Sequence, residues 1–168
     1  RIAVTVPLLV VMADDRCDRV VTGPLEDLAA HRHMGAVHPL LGRAGADVPA
    51  CVESRPVRMR GIGERLDPVP ALPPLWLVLV NPGVDVPTGA VFRALTSVQN
   101  PPMPDPCWKD AEGLVEWLRG TRNDLEAAAR GLVPEVADVL AALAGEPACR
   151  AARMSGSGGT CFGLFTEE

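Results

Sequence analysis

The 168 residues carry 21 acidic and 16 basic side chains, a formal charge of −5, with 48% hydrophobic and 22% charged residues. This balance suits one globular domain or two small ones and gives a nucleic-acid partner no electrostatic support. The longest apolar run, around Leu75 to Val80, is strand-sized, so no membrane span is expected. Arg1 to Met12 is apolar, but Asp14 and Asp15 follow without a small-residue cleavage pattern, and it is not read as a signal peptide. Cys17, Cys51, Cys107, Cys149 and Cys161 are scattered, odd in number and never spaced C-x-x-C. A zinc site or disulfide framework is therefore not expected, and a reducing cytoplasm fits.

In chain order, Ile2–Val6, Leu8–Met12 and Arg19–Thr22 read as strands, with Asp14–Asp18 a charged turn and Gly23-Pro24 a break. Leu25–Ala30 could start a helix. His31–Pro39 holds three histidines without a second ligand cluster and reads as a loop. Leu40–Ala44 is short and helical in character. In Gly45-Ala46-Asp47-Val48-Pro49, Asp47 is either a cap or turn residue or a carboxylate at the edge of a cleft. Pro56–Arg60 alternates as a strand with its arginines on one face, and Gly61–Glu64 turns. Leu75–Val80, bounded by prolines and Asn81-Pro82-Gly83, reads as a strand buried on both faces.

Helical signals follow. Pro87-Thr88-Gly89 opens a helix to about Leu95 with Thr88 as N-cap, a place where a hydroxyl can also hold an anion. Gln99–Pro106 is a proline-rich loop. Asp110 caps a helix over Ala111–Arg119 with Leu114, Val115 and Leu118 on one face. Asn123–Glu126 has the spacing of a capping box, its helix stopping at Gly131. Pro134 starts another, with Val136, Val139, Leu140 and Leu143 at core spacing, and Gly145-Glu146-Pro147 ends it.

The chain closes on Arg153-Met154-Ser155-Gly156-Ser157-Gly158-Gly159-Thr160-Cys161, before a further apolar run. Glycines free the backbone to take positive φ, and successive N–H groups with serine hydroxyls can form an anion nest. A flexible hairpin turn is the plainer alternative. Strands first, then helices, then strand–turn–strand make an α+β pattern.

Five segments, Gly45–Pro49, Gly61–Glu64, Leu79–Gly83 with Pro87-Thr88, Asn123–Glu126 and Met154–Gly159, occur in the order found in the GHMP small-molecule kinases, which this sequence resembles. The wording between them is nearest to the branch that phosphorylates cytidylyl-methylerythritol. The resemblance implies a two-lobed fold with a deep cleft, residues 1–73 forming an incomplete N-terminal lobe and 74–168 a ferredoxin-like C-terminal lobe. It also implies transfer of the γ-phosphoryl group of ATP, with Mg²⁺, to the substrate 2-hydroxyl. Carried over residue by residue, Asp47 is the general base or hydroxyl-orienting group and Arg1 stands where the family has a lysine. Ala3 stands where the family has an asparagine, and Thr88 lies near the substrate phosphates. Ser155, Gly156, Ser157, Gly158 and Gly159 line the reacting end of ATP. Arg1 would keep a stabilising charge but not relay a proton. The implied protein is a cytoplasmic monomer or homodimer whose partner is a small molecule, not nucleic acid or membrane.

Two family parts lack counterparts. Nothing between about Leu28 and Leu41 resembles the main glycine- and serine-rich ATP loop, and no tyrosine exists to supply the family's Gly-Tyr-His segment. These departures predict additional residues near Val6/Pro7 and near Ala30 to Met34, and hence an intact mass several kilodaltons above 17.7 kDa. A mass near that value would leave a fold-retaining, non-catalytic binding protein. A GHMP kinase for another alcohol, such as homoserine or mevalonate, is the remaining reading.

Overall fold

The computed structural model describes residues 10–13, 18–21, 50, 55–61 and 65–166. The expected strand Ile2–Val6, the helix-like segments 25–30 and 40–44 and the histidine loop lie outside them. Four strands make one sheet in the order β2-β1-β3-β4: β1 (Val10–Ala13), β2 (Asp18–Val21), β3 (Val57–Arg60) and β4 (Arg65–Pro68). β1 runs antiparallel to β2 and parallel to β3. In β3 the period-two pattern buries Val57 and Met59 and leaves Arg60 exposed, as alternation demands. β4 pairs antiparallel with β3 after a turn at Gly61, whose φ of 69° is glycine's region. Sequence reading did not anticipate β4, because Arg-Leu-Asp-Pro shows neither β-branching nor an apolar face. What holds it is pairing. Arg60 donates from Nε to Asp67 at 2.6 Å, and that hydrogen bond holds the Asp67 carboxyl below its usual range.

The second sheet has the order β5-β7-β6, all antiparallel: β5 (Trp76–Val80), β6 (Ala151–Met154) and β7 (Cys161–Phe165). Taken by sequence this is 1-3-2, the order of the first three strands of a ferredoxin-like unit. Both faces are covered, as the unbroken apolar run of β5 predicts. On one face Leu77, Leu79, Ala151, Phe162 and Leu164 pack with Trp108, Leu114, Trp117 and Leu118. On the other, Val78, Val80, Ala152, Met154 and Cys161 meet Val91, Leu125, Ala129, Val133, Val136, Leu140 and Leu143. Each fully covered leucine or valine contributes about 1.5–3 kcal/mol. Gly163 allows the close approach: a Cβ there would stand 3.1 Å from Leu143 Cδ2 and 3.0 Å from Phe165 Cε2.

The covering helices are α1 (Thr88–Arg93), α2 (Ala111–Arg119), α3 (Glu126–Leu132) and α4 (Glu135–Ala144). Among the described residues, α2 is the one helix on the first face and the other three cover the second. Asp110 caps α2 as expected, its Oδ1 accepting from Gly113 N at 2.8 Å. Trp108 and Trp117 lie with ring centroids 5.0 Å apart, tilted by 56°. Their indole N–H groups donate to Ala71 O and Asp105 O, tying the segments before β5 and before α2 to the core. Arg153 reaches from β6 to the last carbonyls of α2, donating to Leu118 O and, at 2.8 Å, to Thr121 O.

Two expected caps are not formed. Thr88 is the first residue inside α1; Pro87 occupies the cap position and makes no side-chain cap bond. Asn123 and Glu126 make no capping box, since α3 begins only at Glu126 with Leu125 before it. Both polar side chains are used elsewhere.

Candidate active site

Three segments far apart in sequence meet at one end of the second sheet. They are the β6–β7 hairpin, the β5–α1 loop and the turn ahead of α3. The hairpin is closed by Ser155 N donating to Thr160 O at 2.8 Å, and Gly158 N turns back to Ser155 O at 3.1 Å. Gly156, Gly158 and Gly159 take φ of 55°, 114° and 83°, so the Ser/Gly run adopts the conformation that only glycine reaches cheaply. The N–H groups of Ser157 and Gly159 donate to no backbone acceptor among the described residues. Free donors on a positive-φ turn, with hydroxyls beside them, suit phosphate oxygens.

The β5–α1 loop leaves the sheet at Asn81. Its Oδ1 accepts from Gly83 N at 2.8 Å, an Asx turn, and its Nδ2 donates to Thr160 Oγ1 at 3.2 Å. The loop then brings Thr88 Oγ1 within 2.8 Å of Ser157 Oγ, a hydrogen bond that either hydroxyl could donate. Val86 packs under the hairpin, where a Cβ on Gly158 would stand 3.1 Å from its Cγ1. From the third segment, Asn123 Nδ2 donates to Met154 O at 3.1 Å and to Gly156 O at 2.8 Å, while its Oδ1 accepts from Leu125 N at 3.0 Å.

Of the residues expected from the sequence, Ser155, Gly156, Ser157, Gly158 and Gly159 thus form one turn, and Thr88 touches it. Arg1, Ala3 and Asp47 lie outside the described residues. From the sequence Asn81 reads only as a turn residue after the strand and Asn123 only as a helix cap. The Asn-Pro-Gly signature of a turn points to Asn81, but no local signal points to the cross-chain bonds of Asn123.

The neighbouring thiol is inert. Burial, and then the charge of Glu126, pushes Cys161 up to about 11, so it stays protonated near neutrality. Burial also raises Cys149. No group of three or more His, Cys, Asp or Glu side chains among the described residues could hold a metal ion. No helix among them is long and apolar enough to cross a membrane. The site therefore offers neutral donors for anion binding, not a thiol nucleophile or an all-protein metal cage.

Parts of the chain are similar to known proteins. Residues 107–168, which include the hairpin, match the family described as GHMP kinases C terminal. The 4-diphosphocytidyl-2-C-methyl-D-erythritol kinase of Jannaschia sp. (strain CCS1) is 59% identical over 124 residues, 74% of this chain and 45% of that protein. The kinase of the same name from Cereibacter sphaeroides (strain ATCC 17025 / ATH 2.4.3) is 61% identical over 129 residues, 75% of this chain and 46% of its own. A solved structure, the crystal structure of 4-(cytidine 5'-diphospho)-2C-methyl-D-erythritol kinase, superposes with a TM-score of 0.58 at 34% identity, covering 81% of this chain and 50% of that one. The chain spans a little under half the length of these curated relatives.

Proposed function

Proceeding from a C-terminal part that matches the GHMP kinases in sequence and resembles one in fold, we propose that the protein transfers the γ-phosphoryl group of ATP to the 2-hydroxyl of 4-diphosphocytidyl-2-C-methyl-D-erythritol. The observation that carries this reading is the glycine hairpin, with free N–H groups at Ser157 and Gly159 and the Thr88–Ser157 hydroxyl pair beside them. That donor set fits phosphate oxygens. Phosphoryl transfer needs positioning and charge stabilisation more than covalent help from the protein. In the reaction the acceptor oxygen bonds to the γ-phosphorus, the β–γ bridging bond breaks, and ADP leaves.

In this reading Ser155, Gly156, Ser157, Gly158 and Gly159 form the turn that holds the reacting phosphates, with the N–H groups of Ser157 and Gly159 and the Ser157 hydroxyl as donors. Thr88 contacts the substrate phosphates at the seam between hairpin and β5–α1 loop. Asp47 takes or orients the acceptor proton, Arg1 supplies fixed positive charge, and Ala3 lines the substrate side. No group of three or more His, Cys, Asp or Glu side chains among the described residues would hold Mg²⁺, which would be carried largely by the phosphates of ATP and neutralise their charge. Division into parts 1–73 and 74–168 belongs to the same proposal, supported by the two separate sheets. So does a cytoplasmic monomer or homodimer acting on a small molecule, with neither nucleic acid nor membrane as partner.

The test is coupled ADP release with ATP, Mg²⁺ and the cytidylyl-methylerythritol substrate, beside Asp47→Ala. Turnover that falls by about 10²-fold or more in the variant is the expected result. No turnover from folded protein would reject the kinase reading in favour of a non-catalytic binding protein. Turnover with only homoserine or mevalonate would reassign the substrate.

A further inference from the structure

We propose that Asn123 is the positioning residue of the phosphate-binding hairpin, holding the 156–157 peptide in the one orientation that presents a donor. This deepens the kinase reading and rests on it. A trans peptide fixes its C=O and N–H on opposite edges of one plane. When Asn123 Nδ2 takes Gly156 O at 2.8 Å, the N–H of Ser157 is turned to the other edge, where it meets no backbone acceptor among the described residues. Gly156, at φ 55°, has no Cβ to oppose a flip of that peptide. A flip would replace the Ser157 donor by a carbonyl oxygen, which repels phosphate. A bond to the Gly156 carbonyl from outside the hairpin opposes that flip.

Asn123 is suited to this. One amide nitrogen reaches two carbonyls of the hairpin, Met154 O and Gly156 O, across 31 and 33 positions of sequence. Its oxygen is held by Leu125 N, so the amide cannot rotate without losing a third bond. Leu125 is itself fully buried in the core that α3 and α4 build on the sheet. The chain of support runs from core to Leu125, to the Asn123 amide, to the Gly156 carbonyl, to the Ser157 donor. Aspartate at this position keeps the acceptor for Leu125 N and nearly the same shape, but offers no donor and sets a negative oxygen against two carbonyls.

Asn123→Asp and Asn123→Ala in the full chain test this, read by amide hydrogen exchange and by steady-state kinetics. Exchange at 156–159 is expected to quicken in both variants while the α4 amides keep their protection. The kcat/KM for ATP should drop about 10- to 100-fold, with KM for the alcohol substrate within about twofold. Asn123→Gln should recover part of the loss, because it restores a donor. A merely structural role predicts lower stability with the ATP and alcohol constants of the folded fraction unchanged, and that outcome overturns the proposal. Unchanged hairpin exchange in both variants also overturns it, whether or not the wild-type chain has activity. Absence of wild-type turnover alone counts against the kinase reading rather than against Asn123.

Discussion

At Gly158 two constraints coincide. Its φ is +114°, and a Cβ would stand 3.1 Å from Val86 Cγ1, 3.2 Å from Met154 Sδ and 3.4 Å from Ala129 Cβ. Gly158→Ala therefore meets both backbone strain and overpacking and should cost about 2–4 kcal/mol in urea unfolding. Gly131 gives the opposite sign. It lies inside α3 with nothing within 4 Å of a Cβ, so Gly131→Ala should stabilise by about 0.5–1 kcal/mol in the same measurement. The Ser/Gly composition announced a turn with positive φ, and the structure has it. Asn123 was not legible in the same way. Its spacing to Glu126 reads as a capping box, yet its bonds go to carbonyls more than thirty residues along the chain, which no local pattern encodes.

Among the elements, α2 shows how far local chemistry decides. Asp110 stands before an amphipathic run, and its carboxylate satisfies the N–H of Gly113. Asp110→Ala should lower stability by about 1 kcal/mol, read as a reduced urea midpoint at unchanged slope. The long helices, β3, β5 and the β6–β7 hairpin were all legible, because period and punctuation agree there. β4 was not, being held by Arg60–Asp67 and by pairing rather than by its own sequence. Thr88 reads as an N-cap, where a threonine hydroxyl can satisfy a helix N–H. Here Pro87 takes that place and the Thr88 hydroxyl bonds Ser157 instead, a bond that no local signal encodes.

For the molecule as a whole, Arg58 links the first sheet to the segment ahead of α2. Arg58 of β3 donates to Asp105 at 2.6 Å and to Met103 O at 2.9 Å, and Met103 in turn packs against the tryptophan side of the core. Asp105 is 97% exposed, and the buried Arg58 Nε has no partner. Asp105→Ala should thus leave stability within about 0.5 kcal/mol. Arg58→Met should change it by less than about 1 kcal/mol, because the lost bonds are offset by removing a buried N–H that has no partner. What it should change is limited proteolysis, with faster cleavage between 99 and 106 once Met103 O is released. At this scale the sequence conveyed the family order of the motifs and so placed the hairpin, while Asp47, Arg1 and Ala3 lie outside the described residues and their roles rest on that order alone. The tryptophan pair has a use of its own. Two indoles 5.0 Å apart and tilted by 56° are close enough for their electronic transitions to mix, and among the described residues the helix that carries Trp117 is the only one on its face of the sheet. A split circular-dichroism band from that pair would therefore be an internal, label-free gauge of whether α2 is docked, readable in the same cuvette as turnover.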